Sequence, residues 1–201
     1  MAKRKFRREL IPKPEGFDLI AEQIKFPLSI EIGSGTGLFA IEYALNNPQK
    51  CIFAIEKTSE KYRKFLSNFN KARCPQNLIV VHGNAVAWLA HLNLVSRVDE
   101  VFILYPNPYP KAKQANKRFY NMSFMGHIKE LLRPGGEIIF RTNLQWVANE
   151  ILASMTIFWR FAAKSSELIT SPRSCSTAFE KKYLVRGEVC YELVFVKGDQ
   201  K

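Results

Sequence analysis

The chain has no apolar run of about 18 residues, so no membrane-spanning helix is expected. Its first ten residues, MAKRKFRREL, are basic but lead into no apolar stretch, so they do not read as a secretory signal. Cysteine is scarce. Cys51, Cys74, Cys175 and Cys190 lack both the C-x-x-C spacing of a zinc site and the density of a disulfide scaffold, a pattern that suits a reducing cytoplasm. His82, His91 and His127 share no ligand spacing, so no metal site is expected. Internal repeats and low-complexity blocks are also lacking.

Acid is in short supply. Eighteen Asp and Glu face 30 Lys and Arg, a net charge of +12. Such an excess favours polyanions whatever the fold. Solubility alone would scatter the charge, but here it is clustered. Lys3, Arg4, Lys5, Arg7, Arg8 and Lys13 surround a single Glu9, and Lys111, Lys113, Lys117 and Arg118 form a second group. Cations of this kind gain sequence-independent affinity from phosphates through counterion release, so nucleic acid is the expected partner class.

What is present in quantity is short apolar runs. At 201 residues the chain reads as a basic, flexible arm over 1–14 and one domain over 15–201. LSIEI (28–32), CIFAI (51–55), NLIVV (77–81), EVFILY (100–105) and EIIFRT (137–142) read as buried strands. Tyr62, Phe65, Leu66 and Phe69 repeat at helical spacing between the second and third. Phe124, Met125, Ile128, Leu131 and Leu132 do so between the fourth and fifth, where Pro134-Gly135-Gly136 is expected to stop the helix. Strands alternating with helices imply an α/β fold, a parallel sheet covered on both faces. The tail, FWRFAA and EVCYELVFV with no convincing helix between, predicts a closing antiparallel pair.

The first strand runs into EIGSGTG. Gly33, Gly35 and Gly37 sit two apart, and position 38, where a nicotinamide-type G-x-G-x-x-G needs glycine, is Leu38. With Glu31 two residues before the first glycine, the spacing fits a loop that holds S-adenosylmethionine. The glycines allow a tight turn and close backbone approach, and the acid can face the amino-acid end or the sulfonium. Glu56 ends the second strand, where a carboxylate can take ribose hydroxyls or simply cap the next helix. Asn84, followed by Ala85, can bond an adenine edge or serve as a plain N-cap for a helix over Ala85–His91. Trp88 and Trp146 lie on apolar helical faces and read as core.

The fourth strand ends in YPNPYPKAKQANKR (105–118). Ligands of an open parallel sheet sit beyond the carboxyl ends of its strands, so Asn107 is expected in the cleft beside the glycine loop, held by rigid prolines. EIGSGTG, YPNPYPK with its basic run, LLRPGG, Thr142-Asn143 and TAFEKK (Thr177 to Lys182) together resemble the bacterial single-subunit tRNA (guanine-N7)-methyltransferases, in the same order from about residue 28 to residue 196. The resemblance implies a class I S-adenosylmethionine-dependent methyltransferase, Rossmann-like, with a mostly parallel seven-stranded sheet. It implies S-adenosylmethionine as donor and guanine N7 in the tRNA variable loop as target. It assigns Glu31, Gly33, Gly35, Gly37, Glu56, Asn84, Ala85 and Asn107 to the cofactor. Lys111, Asn143, Thr177 and Glu180 fall to the substrate, and Asn107 to catalysis.

The chain departs from that pattern where two family aspartates are Asn107 and Asn143, where the family tryptophan is Tyr109, and where a K-R-R run becomes Asn116-Lys117-Arg118. Two other readings follow. One is an RNA-binding paralogue without activity. The other is transfer to an amino nitrogen, since Asn107-Pro108-Tyr109 is similar to the N-P-P-Y loop of amino-group DNA methyltransferases. Monomer and homodimer are both open.

Overall fold

Residues 5–198 are described in the computed structural model of the chain. Seven strands form one sheet in the order β3-β2-β1-β4-β5-β7-β6. The five runs read as strands are β1 (Leu28–Ile32), β2 (Cys51–Glu56), β3 (Leu78–His82), β4 (Val98–Leu104) and β5 (Leu132–Thr142). They pair in parallel throughout. β6 (Ala162–Ile169) and β7 (Cys190–Val196) close the sheet, with β7 antiparallel to both neighbours.

Two apolar layers cover the sheet. On one face α1 (Phe17–Ala21), α4 (Ala85–His91), α5 (Phe124–Leu131) and α6 (Gln145–Ala153) add Phe17, Leu89, Ile128 and Ile151 to a layer with Ile30, Phe53 and Ile138. On the other, α2 (Leu38–Asn46) and α3 (Ser59–Lys71) bring Phe39, Ala40 and Phe65 onto Ile52, Ala54 and Phe102. β1 and β2 are buried along their whole length, as central parallel strands must be. A side chain such as Phe65, with no exposed surface, contributes about 1.5–3 kcal/mol by burial.

Four expectations are corrected. Pro134-Gly135-Gly136 does not stop α5, which has already ended at Leu131. Leu132 pairs with Val98, the register shifts, and Gly135 N–H and Gly136 C=O bond Lys197, so these residues are a bulged entry into β5. Gly136 is needed there because a Cβ would lie 2.9 Å from the Arg133 carbonyl.

A helix does lie between β6 and β7. It is α7 (Ala178–Val185), which has no apolar stripe because its buried residue is a charge, Glu180, while Phe179 and Val185 are exposed. Thr177 caps it by accepting from Glu180 N–H at 3.0 Å.

Trp146 is 40% exposed at the start of α6, whereas Trp88 is core. Finally, the basic arm packs on the domain from Phe6 onward. Phe6 lies edge-on to Phe124 at 5.1 Å, and His91 Nε2 bonds the Ile11 carbonyl at 2.8 Å. Lys3 and Arg4 fall outside the described residues.

Candidate active-site cleft

β1 pairs with β2 on one side and with β4 on the other, so the order of crossovers reverses between β1 and β4. The loops leaving these two strands cannot cover each other and leave a crevice. Two hollows of about 370 and 520 Å³ occupy it and meet at Ile32, Gly33, Pro106 and Asn107. The first is lined by Glu31, Gly35, Glu56, Thr177, Phe179 and Lys182, the second by Asn84, Ala85, Val86, Tyr109 and Lys117.

The glycine loop divides into two kinds of glycine. Gly33 (φ +80°) and Gly35 (φ +58°) are left-handed, and a Cβ on either would meet nothing within 4 Å. They form an open cradle. Gly37 (φ +79°) lines neither hollow. A Cβ there would sit 1.9 Å from the Phe65 ring, so this glycine lets α2 and α3 pack closely.

Glu31 is the most unusual group in the cleft. It is 1% exposed in a central strand, and its Oε2 is buried without a hydrogen-bond partner. Burial pushes its carboxyl from the ordinary 4.5 to about 8. The Ser34 hydrogen bond opposes the shift, the Glu56 charge adds to it and the Arg141 charge opposes it. A buried carboxyl with an unpartnered oxygen, on a residue that lines the first hollow, is suited to a cationic ligand.

Glu56 binds backbone with both of its oxygens. One oxygen accepts from Thr58 N–H at 2.7 Å before α3, and the other latches Gly35 N–H at 2.7 Å, with the carboxylate on the cleft wall. Asn84 caps α4 by accepting from Val86 N–H at 3.0 Å and also lines the second hollow, with Ala85 beside it.

Asn107 stands where the hollows join. Its Oδ1 accepts from Tyr109 N–H at 3.2 Å, a local side-chain turn. The residues on either side of the Pro-Asn-Pro unit are left-handed without being glycine, Tyr105 at φ +52° and Tyr109 at φ +43°. Such backbone persists only where neighbours hold it, and it clusters at functional sites.

The proposed substrate residues separate. Thr177 reaches the first hollow, while Lys111 and Asn143 line neither. Lys111 is exposed at the start of the loop that follows. Asn143 donates to Glu188 Oε2 at 3.0 Å. Glu180 is not a surface contact. It is fully buried and accepts from Ser176 Oγ at 2.5 Å, Tyr105 Oη at 3.0 Å and Arg141 Nη1 at 3.1 Å, so it ties α7 to β4 and β5. Sequence reading missed Lys61 and Lys182 on the wall of the first hollow, because a lysine on a helix carries no signal of what it faces. Among the described residues no group of three or more His, Cys, Asp or Glu could hold a metal ion.

The cleft fits a nucleoside linked to an amino acid. Its glycine cradle is open, an unpartnered buried carboxyl oxygen waits at one end, and an amide and apolar wall lie at the other. A seven-stranded sheet with a single antiparallel strand, β7, and loops gathered at the β1/β4 switch define the class I methyltransferase fold. Solved methyltransferases share it. The 16S rRNA methyltransferase KamB superposes with a TM-score of 0.63 at 15% identity, covering 94% of this chain and 95% of that one. The precorrin-6y C5,15-methyltransferase of Geobacter metallireducens superposes with a TM-score of 0.59 at 16% identity, covering 95% and 92%.

Residues 25–193 match the family model described as "Putative methyltransferase". The tRNA (guanine-N(7)-)-methyltransferase of Lactiplantibacillus plantarum is 30% identical over 172 residues, 84% of this chain and 79% of that protein. The protein of the same description from Nitrosomonas europaea is 27% identical over 172 residues, 85% and 76%. The chain belongs to the tRNA (guanine-N7)-methyltransferase family.

Proposed function

We infer that this protein transfers the methyl group of S-adenosylmethionine to N7 of a guanine in the variable loop of tRNA. The observation that carries the reading is the meeting of the two hollows at Gly33 and Asn107, with the unpaired Glu31 oxygen at one end. Glu31 would take the positive end of the donor and Glu56 the ribose. Gly33 and Gly35 would admit its backbone-close middle, and Asn84 with Ala85 would meet the base. Bound there, S-adenosylmethionine supplies an electrophilic sulfonium methyl.

Guanine N7 carries a lone pair and no proton, so no general base has to act before attack. The chain's task is then to orient and to provide a field. Asn107, at the junction of the hollows, is the group placed to orient the guanine. Lys111, Lys113 and Lys117 are exposed beside it, and Lys61 and Lys182 border the first hollow, so phosphates can be held on both sides. Thr177 at the mouth is the remaining substrate candidate. The proposed compartment is the cytoplasm, in keeping with four free cysteines.

The relatives described as tRNA (guanine-N(7)-)-methyltransferases favour N7 over transfer to an amino nitrogen. The test is incubation with labelled S-adenosylmethionine and unmodified tRNA, followed by nucleoside identification by mass spectrometry. Labelled 7-methylguanosine is expected. A labelled N-methyl base, or tRNA binding with no transfer, would sink the reading.

A further inference from the structure

We propose that Arg118 is a positioning residue of this site, a buried clamp on the proline loop that fixes where Asn107 points. The inference rests on the methyl-transfer reading above. In sequence Arg118 closes a basic run and reads as a phosphate contact. In the fold it is only 8% exposed, and each nitrogen of its guanidinium donates a hydrogen bond. Nε donates to the Pro108 and Tyr109 carbonyls, both at 3.2 Å, and Nη2 donates to the Tyr109 carbonyl at 3.1 Å. Nη1 donates to Glu150 Oε2 at 2.5 Å, and the plane lies over Trp146 at 5.0 Å. Little is left to reach a phosphate.

The anchor is itself fixed. Glu150, on α6, also accepts from Asn121 Nδ2 at 2.8 Å and Tyr120 Oη at 3.2 Å. The clamp therefore links a rigid helix to the left-handed residue Tyr109, whose N–H in turn holds the Asn107 side chain. Any shift of Tyr109 is passed to Asn107 two residues away. A lysine could replace the charge of Arg118 but not its planar fork.

That difference gives the test. Arg118→Lys and Glu150→Gln are compared with Lys117→Ala, a variant at an exposed member of the same run. In tRNA methylation Arg118→Lys is expected to lower kcat by about 10–100-fold, the effect of misplacing a reacting group by about 1 Å. The tRNA KM and its salt slope should stay within about twofold of the parent. Glu150→Gln should act in the same direction, and it carries the test if Arg118→Lys does not fold. Lys117→Ala should instead raise KM and flatten the salt slope. In an Asn107→Ala background Arg118→Lys should cost under about twofold more, because the two act as one unit.

Hydrogen exchange gives a readout that needs no activity. The amides of Tyr105 and Tyr109, which bond the Arg141 carbonyl and the Asn107 side chain, should exchange at least about tenfold faster in Arg118→Lys, with those of Val101–Leu104 unchanged. If the parent protein makes no 7-methylguanosine, the functional reading fails and the exchange data still decide the clamp. Unchanged exchange, or an Arg118→Lys variant with parental kcat, would overturn the proposal. So would a raised tRNA KM and flattened salt slope matching Lys117→Ala.

Discussion

The phenol of Tyr105, at the end of β4, donates to the fully buried carboxylate of Glu180 on α7 across 3.0 Å. This bond joins the strained start of the proline loop to the helix that forms the far wall of the first hollow. Glu180 is also the counter-ion of buried Arg141, so its roles are structural first. Removing one partner of a buried pair leaves the other charge uncompensated, at a cost of about 3–5 kcal/mol. Arg141 keeps Glu192 Oε2 at 2.6 Å as a second counter-ion, so Glu180→Ala is expected to destabilise the fold by less than that in urea denaturation. Tyr105→Phe should cost about 1 kcal/mol, as a single hydrogen bond whose acceptor keeps other donors.

Gly35 and Gly37 should respond differently to alanine. At Gly37 the added Cβ collides with Phe65, so Gly37→Ala should destabilise by about 1–3 kcal/mol from overpacking, plus left-handed strain. At Gly35 there is open space. Gly35→Ala should lose only about 1–2 kcal/mol of stability, from the left-handed backbone, yet bind S-adenosylmethionine more weakly. Thermal melting and ligand titration on both variants separate the two roles.

Glu31 should make both stability and cofactor affinity depend on pH. Its folded pKa lies near 8 against an ordinary 4.5, so between those values the folded state holds a proton that the unfolded state has lost. The unfolded state binds fewer protons there, so stability falls as pH rises through that window. A cation beside the carboxylate reverses the shift, so S-adenosylmethionine should bind more tightly as pH rises toward 8, releasing a proton. Calorimetry in buffers of different ionisation heat reads that proton. Glu31→Gln should remove both slopes, and a parental pH dependence in that variant would assign them elsewhere.

Asn107 and Asn143 both stand where the family has aspartate, but their surroundings differ. Asn107 is exposed in the cleft, and Asn107→Asp keeps the bond to Tyr109 N–H while adding a charge near the developing guanine cation. A full charge at about 4 Å is worth at most about 4 kcal/mol at an effective dielectric of 20, so kcat should rise by up to roughly a thousandfold. Asn143 donates its amide to Glu188. Asn143→Asp would set two carboxylates against each other and should lower the melting temperature without raising kcat. Single-turnover rates and melting curves on the two variants check this.

Much of this protein was legible in its sequence because the signals are local. Buried parallel strands are apolar along their length, so β1 to β5 announce themselves, and glycine before a helix marks the loop that follows β1. Glu31, Glu56, Asn84 and Asn107 were placed by lying at strand ends, which in an open sheet converge on one crevice. The rest depended on partners distant in the chain. α7 was invisible because its buried residue is Glu180, whose donors Tyr105 and Arg141 come from the end of β4 and from β5. Gly37 could not be told from Gly33 until Phe65 of α3 was seen against it. Arg118 looks like any other cation of its run, and only Glu150, 32 residues on, turns it inward. Periodicity and turn chemistry act between neighbours in sequence and so fix elements. Burial and pairing act between neighbours in space, and so only the tertiary structure decides which charges face the tRNA and which hold the loop.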